Sequence, residues 1–300
     1  MQSVARALQR SRLAGGQEFP HVPEFQPLYD LGWAPRYGEM AAITARSGSG
    51  KSTLAMYYAM RSGLSTLYFS GDMSAYQAAV KFACASLHAD IYTVTQKLDS
   101  DPESVLSALP QNVEMVFGEI TWRSIATEID AFVELNNRYP DLIVIDNLMD
   151  IEKCATEYVE QSDAMQTLHN MGDSLGCAVW VLLHSTDKTG LGASAAFEPP
   201  MRSQIKNGLS EKPSVILSAA LNPNTDEMQV ALVKNRLGAQ DASARKQATL
   251  QAVPSQSRFV AKGGSDGSHT STDQRQESGS GQALGSVKLD IRSARTGLAL

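Results

Sequence analysis

Nine consecutive residues, Ala45, Arg46, Ser47, Gly48, Ser49, Gly50, Lys51, Ser52 and Thr53, have the types and spacing that handle phosphate. They follow the pattern of a small residue, four variable residues, then Gly-Lys and Ser or Thr, with Ala45 where glycine is more usual. The two glycines let the chain curl so that successive backbone N–H groups point inward at a β-phosphate. A helix starting near Lys51 adds the positive end of its dipole. Lys51 then reaches the β- and γ-phosphates, and the Ser52 hydroxyl is placed to ligate Mg2+. Such a loop needs a strand before it and a helix after it. Residues 40–44 are apolar and an apolar helical pattern begins near Lys51, so both are expected. The chain reads as a nucleotide binder.

Phosphoryl transfer to water needs three further things: a metal anchor, a carboxylate that orients the attacking water, and cations that meet charge developing on the γ-phosphate. Residues 142–146 read as an apolar strand ending in an acid, which puts Asp146 at the carboxyl edge of a sheet, where α/β folds gather their ligands. Asp146 is thus the metal residue beside Ser52, and a strand-end cap is the plainer reading. A second strand, 65–70, runs into Gly71-Asp72-Met73. Asp72 lies at the same edge as the candidate water-orienting carboxylate; its competing reading is an N-cap for a helix starting near Ser74. His184 ends a third apolar strand, placed either to touch the γ-phosphate or to be a satisfied histidine. Lys234 and Arg236, two apart in Lys234-Asn235-Arg236-Leu237-Gly238, face one side of a strand. On a monomer they form a solvated basic edge; in a ring or filament they reach a neighbour's nucleotide.

The elements that must position these residues follow from the hydrophobic pattern. From Gly38 onward short apolar runs alternate with helical patterns, which predicts an α/β fold with a mainly parallel sheet flanked by helices. Strands are expected at 40–44, 65–70, 113–117, 142–145, 178–183, 214–220 and 228–234. The turn-rich Asn222-Pro223-Asn224-Thr225-Asp226 makes the last two an antiparallel hairpin at the sheet edge. Trp122, Ile125, Ile129, Phe132 and Val133, and Ala164, Leu168, Met171 and Leu175, fall at helical spacing and read as core stripes. Residues 1–24 read as an arm whose first 13 residues, with Arg6, Arg10 and Arg12 and no acid, form a short helix docking on a neighbouring subunit. Residues 261–300 read as a flexible Gly/Ser-rich tail.

Bulk properties set limits on partners. Across 300 residues the net charge is −6, which argues against coating duplex DNA through bulk positive charge while leaving room for a local basic loop. Cys84, Cys154 and Cys177 lack metal-binding spacing and read as buried free thiols in a reducing cytosol. No run of about eighteen apolar residues occurs, so no membrane span is expected.

The ordered motifs resemble a known family. The phosphate loop, Phe69-Ser70-Gly71-Asp72-Met73-Ser74-Ala75, Ile143-Val144-Ile145-Asp146-Asn147-Leu148, His184 and Lys234-Asn235-Arg236-Leu237-Gly238 look like the RecA-type motor domain of DnaB-like replicative helicases of bacteria and their phages. The resemblance implies a RecA-like P-loop ATPase domain over 25–260 and a homo-oligomer, a hexameric ring. In it Lys51, Ser52 and Asp146 bind Mg-ATP, Asp72 is the catalytic acid, and Lys234 and Arg236 act in trans. It also implies single-stranded DNA gripped by pore loops after Asp146 and after His184, with Lys188, Arg202 and Lys206 as phosphate contacts. The family usually has Glu where this chain has Asp72, and the collar domain of full-length bacterial helicases has no counterpart in the fewer than forty residues before Gly38. Loader and primase contacts known for that collar are therefore not assumed. A compact motor of this size suits a phage, and the expected location is the cytoplasm, that of the host for a phage protein. A filament-forming RecA-like recombination or annealing ATPase stays open as the alternative, favoured slightly by the short side chain of Asp72.

Overall fold

The computed structural model describes residues 18–155, 157–185, 197–205 and 208–261. The arm helix expected in 1–13, Lys188, Lys206 and all but the first residue of the expected tail lie outside them.

Nine strands among the described residues form one sheet: β1 (Met40–Ala45), β2 (Thr66–Ser70), β3 (Val113–Phe117), β4 (Leu142–Asp146), β5 (Ala178–His184), β6 (Val215–Asn222), β7 (Glu227–Asn235), β8 (Gln247–Val253) and β9 (Arg258–Val260). Their order is β3-β2-β4-β5-β1-β6-β7-β8-β9. The strands from β3 across to β6 run parallel, and β7, β8 and β9 continue as an antiparallel meander. The mainly parallel sheet with an antiparallel edge is as expected. The edge is longer than the expected hairpin, because β8 and β9 add to it.

The helices are α1 (Gln26–Asp30), α2 (Lys51–Ser62), α3 (Ala75–Leu87), α4 (Ile91–Ser100), α5 (Pro102–Ser107), α6 (Trp122–Asn136) and α7 (Tyr158–Leu175). They cover both faces of the sheet, which explains why β2 and β4 are buried along their whole length rather than alternating. Along β4, Leu142 and Val144 pack with Leu54 and Tyr58 of α2, while Ile143 and Ile145 pack with Ile125 and Ile129 of α6 and Leu168 of α7. Each large side chain buried this way contributes about 1.5–3 kcal/mol.

The packed domain begins before residue 25. Phe19 and Val22 are buried in the first of these cores, in an aromatic group with Phe25, Trp33, Tyr58 and Trp180, where the Tyr58 and Trp180 rings lie 4.9 Å apart. Aromatic residues that bury this much area are held by packing whatever the local secondary structure. Cys84, Cys154 and Cys177 are buried free thiols. Burial pushes the Cys154 and Cys177 thiols up, to about 11 and about 12.

Candidate active site

Side chains alternate along a strand, so residues two apart share a face. Ile43 and Ala45, Tyr68, Val144 and Leu182 all pack on the α2 side of the sheet. The next same-face positions on β2, β4 and β5 are Ser70, Asp146 and His184. Register places Ser70 beside Asp146 and Ala45 beside His184, so the ends of four parallel strands meet where the phosphate loop turns into α2.

The loop is built as its glycines require. Gly48 and Gly50 have φ of 73° and 78°, in the left-handed region that favours glycine. At Gly50 space also matters, since a Cβ there would lie 2.8 Å from the Met228 Cε. Gly50 is the N-cap of α2 and supplies no capping side chain, so the first N–H groups of the helix keep their donors for a ligand. Arg46 points the other way, donating from Nη1 to the Glu198 carbonyl at 2.8 Å.

Asp146 is buried, and the Tyr68 hydroxyl donates to its Oδ2 at 2.8 Å. Burial raises the carboxyl pKa, while Ser52, Tyr68 and Lys51 pull it down in favour of the charged form. Its Oδ1 and the Ser70 hydroxyl are buried without hydrogen-bond partners among the described residues. Two neighbouring oxygens left open in a polar corner, beside Ser52 and Lys51, fit a hard cation that keeps several of its waters, as Mg2+ does.

Asp72 is exposed just past β2. The N-cap of α3 is Ser74, whose hydroxyl accepts from the Gln77 N–H while the Gln77 side chain accepts from the Ser74 N–H in return. The helix therefore does not use Asp72, and its competing role as a cap falls away. His184 is half-buried at the end of β5. Burial and Lys51 lower its pKa, against the opposing pull of Asp150, Asp146 and Asp72, so it stands neutral at pH 7, offering one donor and one acceptor.

Sequence reasoning passed over Tyr68, Asn147 and Asp150. Tyr68 looked like one more apolar strand residue. Asp150 belongs to a 3-10 turn, Leu148–Asp150, that Asn147 caps, and its Oδ2 accepts from the Asn147 backbone N–H and side-chain amide at 3.0 and 2.9 Å. The segment after Asp146, expected as a pore loop, turns back into the fold: Leu148 and Ile151 are buried, and Ile151 bridges to Ile120.

Lys234 and Arg236 sit elsewhere. β7 runs antiparallel, and its pairing sets Lys234 opposite Ile216, which lies level with Ala42, so Lys234 is three residues or roughly 10 Å short of the phosphate-loop end of β1. Arg236, one residue past the strand, lies farther toward the opposite sheet edge, near Glu39. Lys234 is buried and donates from Nζ to the Ser210 and Glu211 carbonyls at 2.8 and 2.7 Å; Arg236 donates to the same Glu211 carbonyl at 3.0 Å. Arg202, expected on DNA, reaches the Ser210 carbonyl at 3.5 Å. Burial, with Arg236 and Arg202 nearby, pushes the Lys234 ammonium down to about 8.

A groove of about 600 Å3 between α6 and α7, lined by Trp122, Ile129, Met171 and Leu175, shares no residue with either region. Among the described residues no helix is long and apolar enough to cross a membrane.

No protein-family model matches the chain. Among curated proteins it is similar to the Gene 65 proteins of Mycobacterium phages L5 and D29, at 26% identity over 256 residues and 25% over 230. These alignments take in 80% and 71% of this chain and 92% and 95% of those proteins. Among solved structures, an ATPase domain superimposes with a TM-score of 0.71 at 15% identity, over 87% of this chain and 99% of that one. A DnaB-like replicative helicase, solved with its interactions with primase, superimposes with a TM-score of 0.68 at 14% identity, over 87% of this chain and 68% of that one. The chain shares the RecA-like α/β fold of these two structures. Within this fold, the phosphate loop, Ser70, Asp146 and His184 occupy the carboxyl edge of the parallel strands, where open α/β sheets hold their ligands.

Proposed function

We propose that this protein is an ATP-dependent DNA helicase of the DnaB-like type that acts in DNA replication, with ATP hydrolysis at subunit interfaces driving movement on single-stranded DNA. The observation that carries the reading is the convergence of the phosphate loop, Asp146, Asp72 and His184 on one sheet edge while Lys234 and Arg236 stand at the other. A single subunit so arranged holds most of a hydrolytic site and keeps Lys234 and Arg236 away from it, which is compatible with sites shared around a ring.

In this reading the backbone N–H groups of residues 48–52 and the Lys51 ammonium hold the β- and γ-phosphates. Ser52 and Asp146 hold Mg2+, with Tyr68 fixing the carboxylate. When bound, Mg2+ held there would neutralise part of the phosphate charge. Asp72 accepts a hydrogen bond from the attacking water and sets it in line with the γ-phosphorus. His184, neutral and beside Lys51, contacts the γ-phosphate and passes its loss to the segment that follows. Arg236, with Lys234, meets the developing charge from the next subunit.

The test is direct. Purified protein should hydrolyse ATP faster with single-stranded DNA and unwind a forked duplex. Absence of both would sink the reading. Electron microscopy with ATP and DNA should show closed rings; continuous helical filaments would favour the recombination-type alternative.

A further inference from the structure

Gly71 is not explained by backbone conformation. Its φ lies outside the left-handed region in which Gly48 and Gly50 sit, so an ordinary residue could adopt its backbone. Space explains it instead. A Cβ at position 71 would run into the Asp150 Cβ and would lie 2.7 Å from its Oδ2 and 2.8 Å from its Cγ. Asp150 cannot swing aside, because the Asn147 backbone and amide N–H groups both grip its Oδ2 and the turn that carries it is anchored by buried Leu148. The Gly71 N–H donates to the Asp146 carbonyl at 3.0 Å, which ties the end of β2 to the end of β4. Asp72, the next residue, is exposed and uses no oxygen to cap α3.

We infer that Gly71 and Asp150 are a positioning pair for Asp72: the bare Cα of Gly71 lets the turn close against Asp150, which carries the Asp72 backbone inward and makes up for the methylene that an aspartate lacks relative to a glutamate. Asp150 acts through its shape and its hydrogen-bonded rigidity, not through its charge on the reacting atoms. The inference rests on the reading of Asp72 as the water-orienting carboxylate. A methyl at 71 forces the turn to retreat by about 1 Å before carbon–carbon contact becomes ordinary. A displacement of that size in a group that orients water costs on the order of ten- to a hundredfold in rate.

The experiment compares Gly71→Ala, Asp72→Glu, the double variant, Asp150→Asn and Asp72→Ala. Each is read by ATP turnover, by affinity for fluorescent ADP, and by trapping of ADP with aluminium fluoride, which mimics the γ-phosphoryl group in flight. Gly71→Ala should lower turnover and trapping together, on the order of ten- to a hundredfold, with ADP affinity within about twofold of the parent. Asp72→Glu alone should also lower both, because the longer side chain overreaches from the closed turn. Combined with Gly71→Ala it should recover most of the loss. Asp150→Asn keeps shape and acceptor and should stay within about threefold of the parent.

Independent, multiplying losses in the double variant would overturn the inference, as would a gain from Asp72→Glu alone. The single Asp72→Glu result decides the matter if Gly71→Ala fails to fold. A loss in Asp150→Asn as large as that in Asp72→Ala would make Asp150 a directly acting charge and would likewise overturn it. Failure of the underlying reading looks different: Asp72→Ala would leave turnover intact.

Discussion

The two polar edges of this sheet treat their hydrogen-bonding atoms in opposite ways. At the carboxyl edge the Asp146 Oδ1 and Ser70 hydroxyl are buried without hydrogen-bond partners among the described residues, the first N–H groups of α2 have no capping side chain, and Asp72 is not used as a cap. At the far edge Lys234, Arg236 and Arg202 all direct donors to two carbonyls, those of Ser210 and Glu211. A buried polar atom left unpaired costs about 1–3 kcal/mol, so the carboxyl edge is where a bound ligand would repay most. Among the described residues, the Lys234, Arg236 and Arg202 donors of the basic edge find acceptors in those carbonyls. In the proposed ring, these cations would have to leave the 210–211 carbonyls before acting on a neighbour's phosphate.

The largest expected effect tests this directly. Arg236→Ala should lower DNA-stimulated ATP turnover on the order of a thousandfold, the scale of an arginine finger, while ADP affinity stays unchanged. Mixing Arg236→Ala subunits with Lys51→Ala subunits should restore activity absent from either alone, because a mixed interface joins an intact loop to an intact finger. If Arg236 serves only to hold the 210–211 turn, mixing restores nothing. Lys51→Ala comes next, with turnover down on the order of a hundred- to a thousandfold and, unlike Arg236→Ala, weaker ADP binding by isolated subunits.

Tyr68→Phe should act more gently and only at the carboxyl edge. It removes the donor to the Asp146 Oδ2, leaves that oxygen buried, and so raises the carboxyl pKa further above the usual range. The Mg2+ needed for half-maximal turnover should rise about tenfold, roughly the loss of one hydrogen bond to a charged group, and more at pH 6 than at pH 8. An unchanged Mg2+ requirement would show that Tyr68 only packs.

The contrast between the edges also separates what the sequence discloses from what it hides. The loop, Asp146 and His184 were legible because each ends an apolar run, and an apolar run followed by a polar residue is a local signal. Strands β1 to β7 were found within two residues of their ends for the same reason. Strand β8 was missed because two of its three inward positions, Ala248 and Ala252, are small and leave Leu250 as the one strong apolar signal, and β9 has three residues behind Pro254. Tyr68 and Asp150 were invisible because their meaning lies in what the neighbouring strand end brings to them. The clasp on Ser210 and Glu211 joins residues 24 positions apart, and no local pattern announces a lysine aimed at carbonyls.

The smallest effect concerns stability and isolates the clasp from catalysis. The Lys234 pKa is lowered to about 8 in the fold, chiefly by burial and then by Arg236 and Arg202, against about 10.5 in the unfolded chain. Between those values the unfolded chain binds more protons than the folded one, so unfolding free energy rises with pH across roughly pH 8 to 10.5 from this group. Below pH 8 Lys234 is charged in both states and the full cost of burying that charge is present, offset by its two carbonyl hydrogen bonds. Lys234→Met removes both the charge and the bonds. Denaturant melts at pH 7, 8, 9 and 10 should therefore show the parent gaining on the variant as pH rises, with the gap levelling off above about pH 10.5. A gap that stays constant with pH would mean the lysine keeps its ordinary pKa, in which case the basic edge is solvated, its cations are free to move, and the contrast between the two edges loses its physical basis.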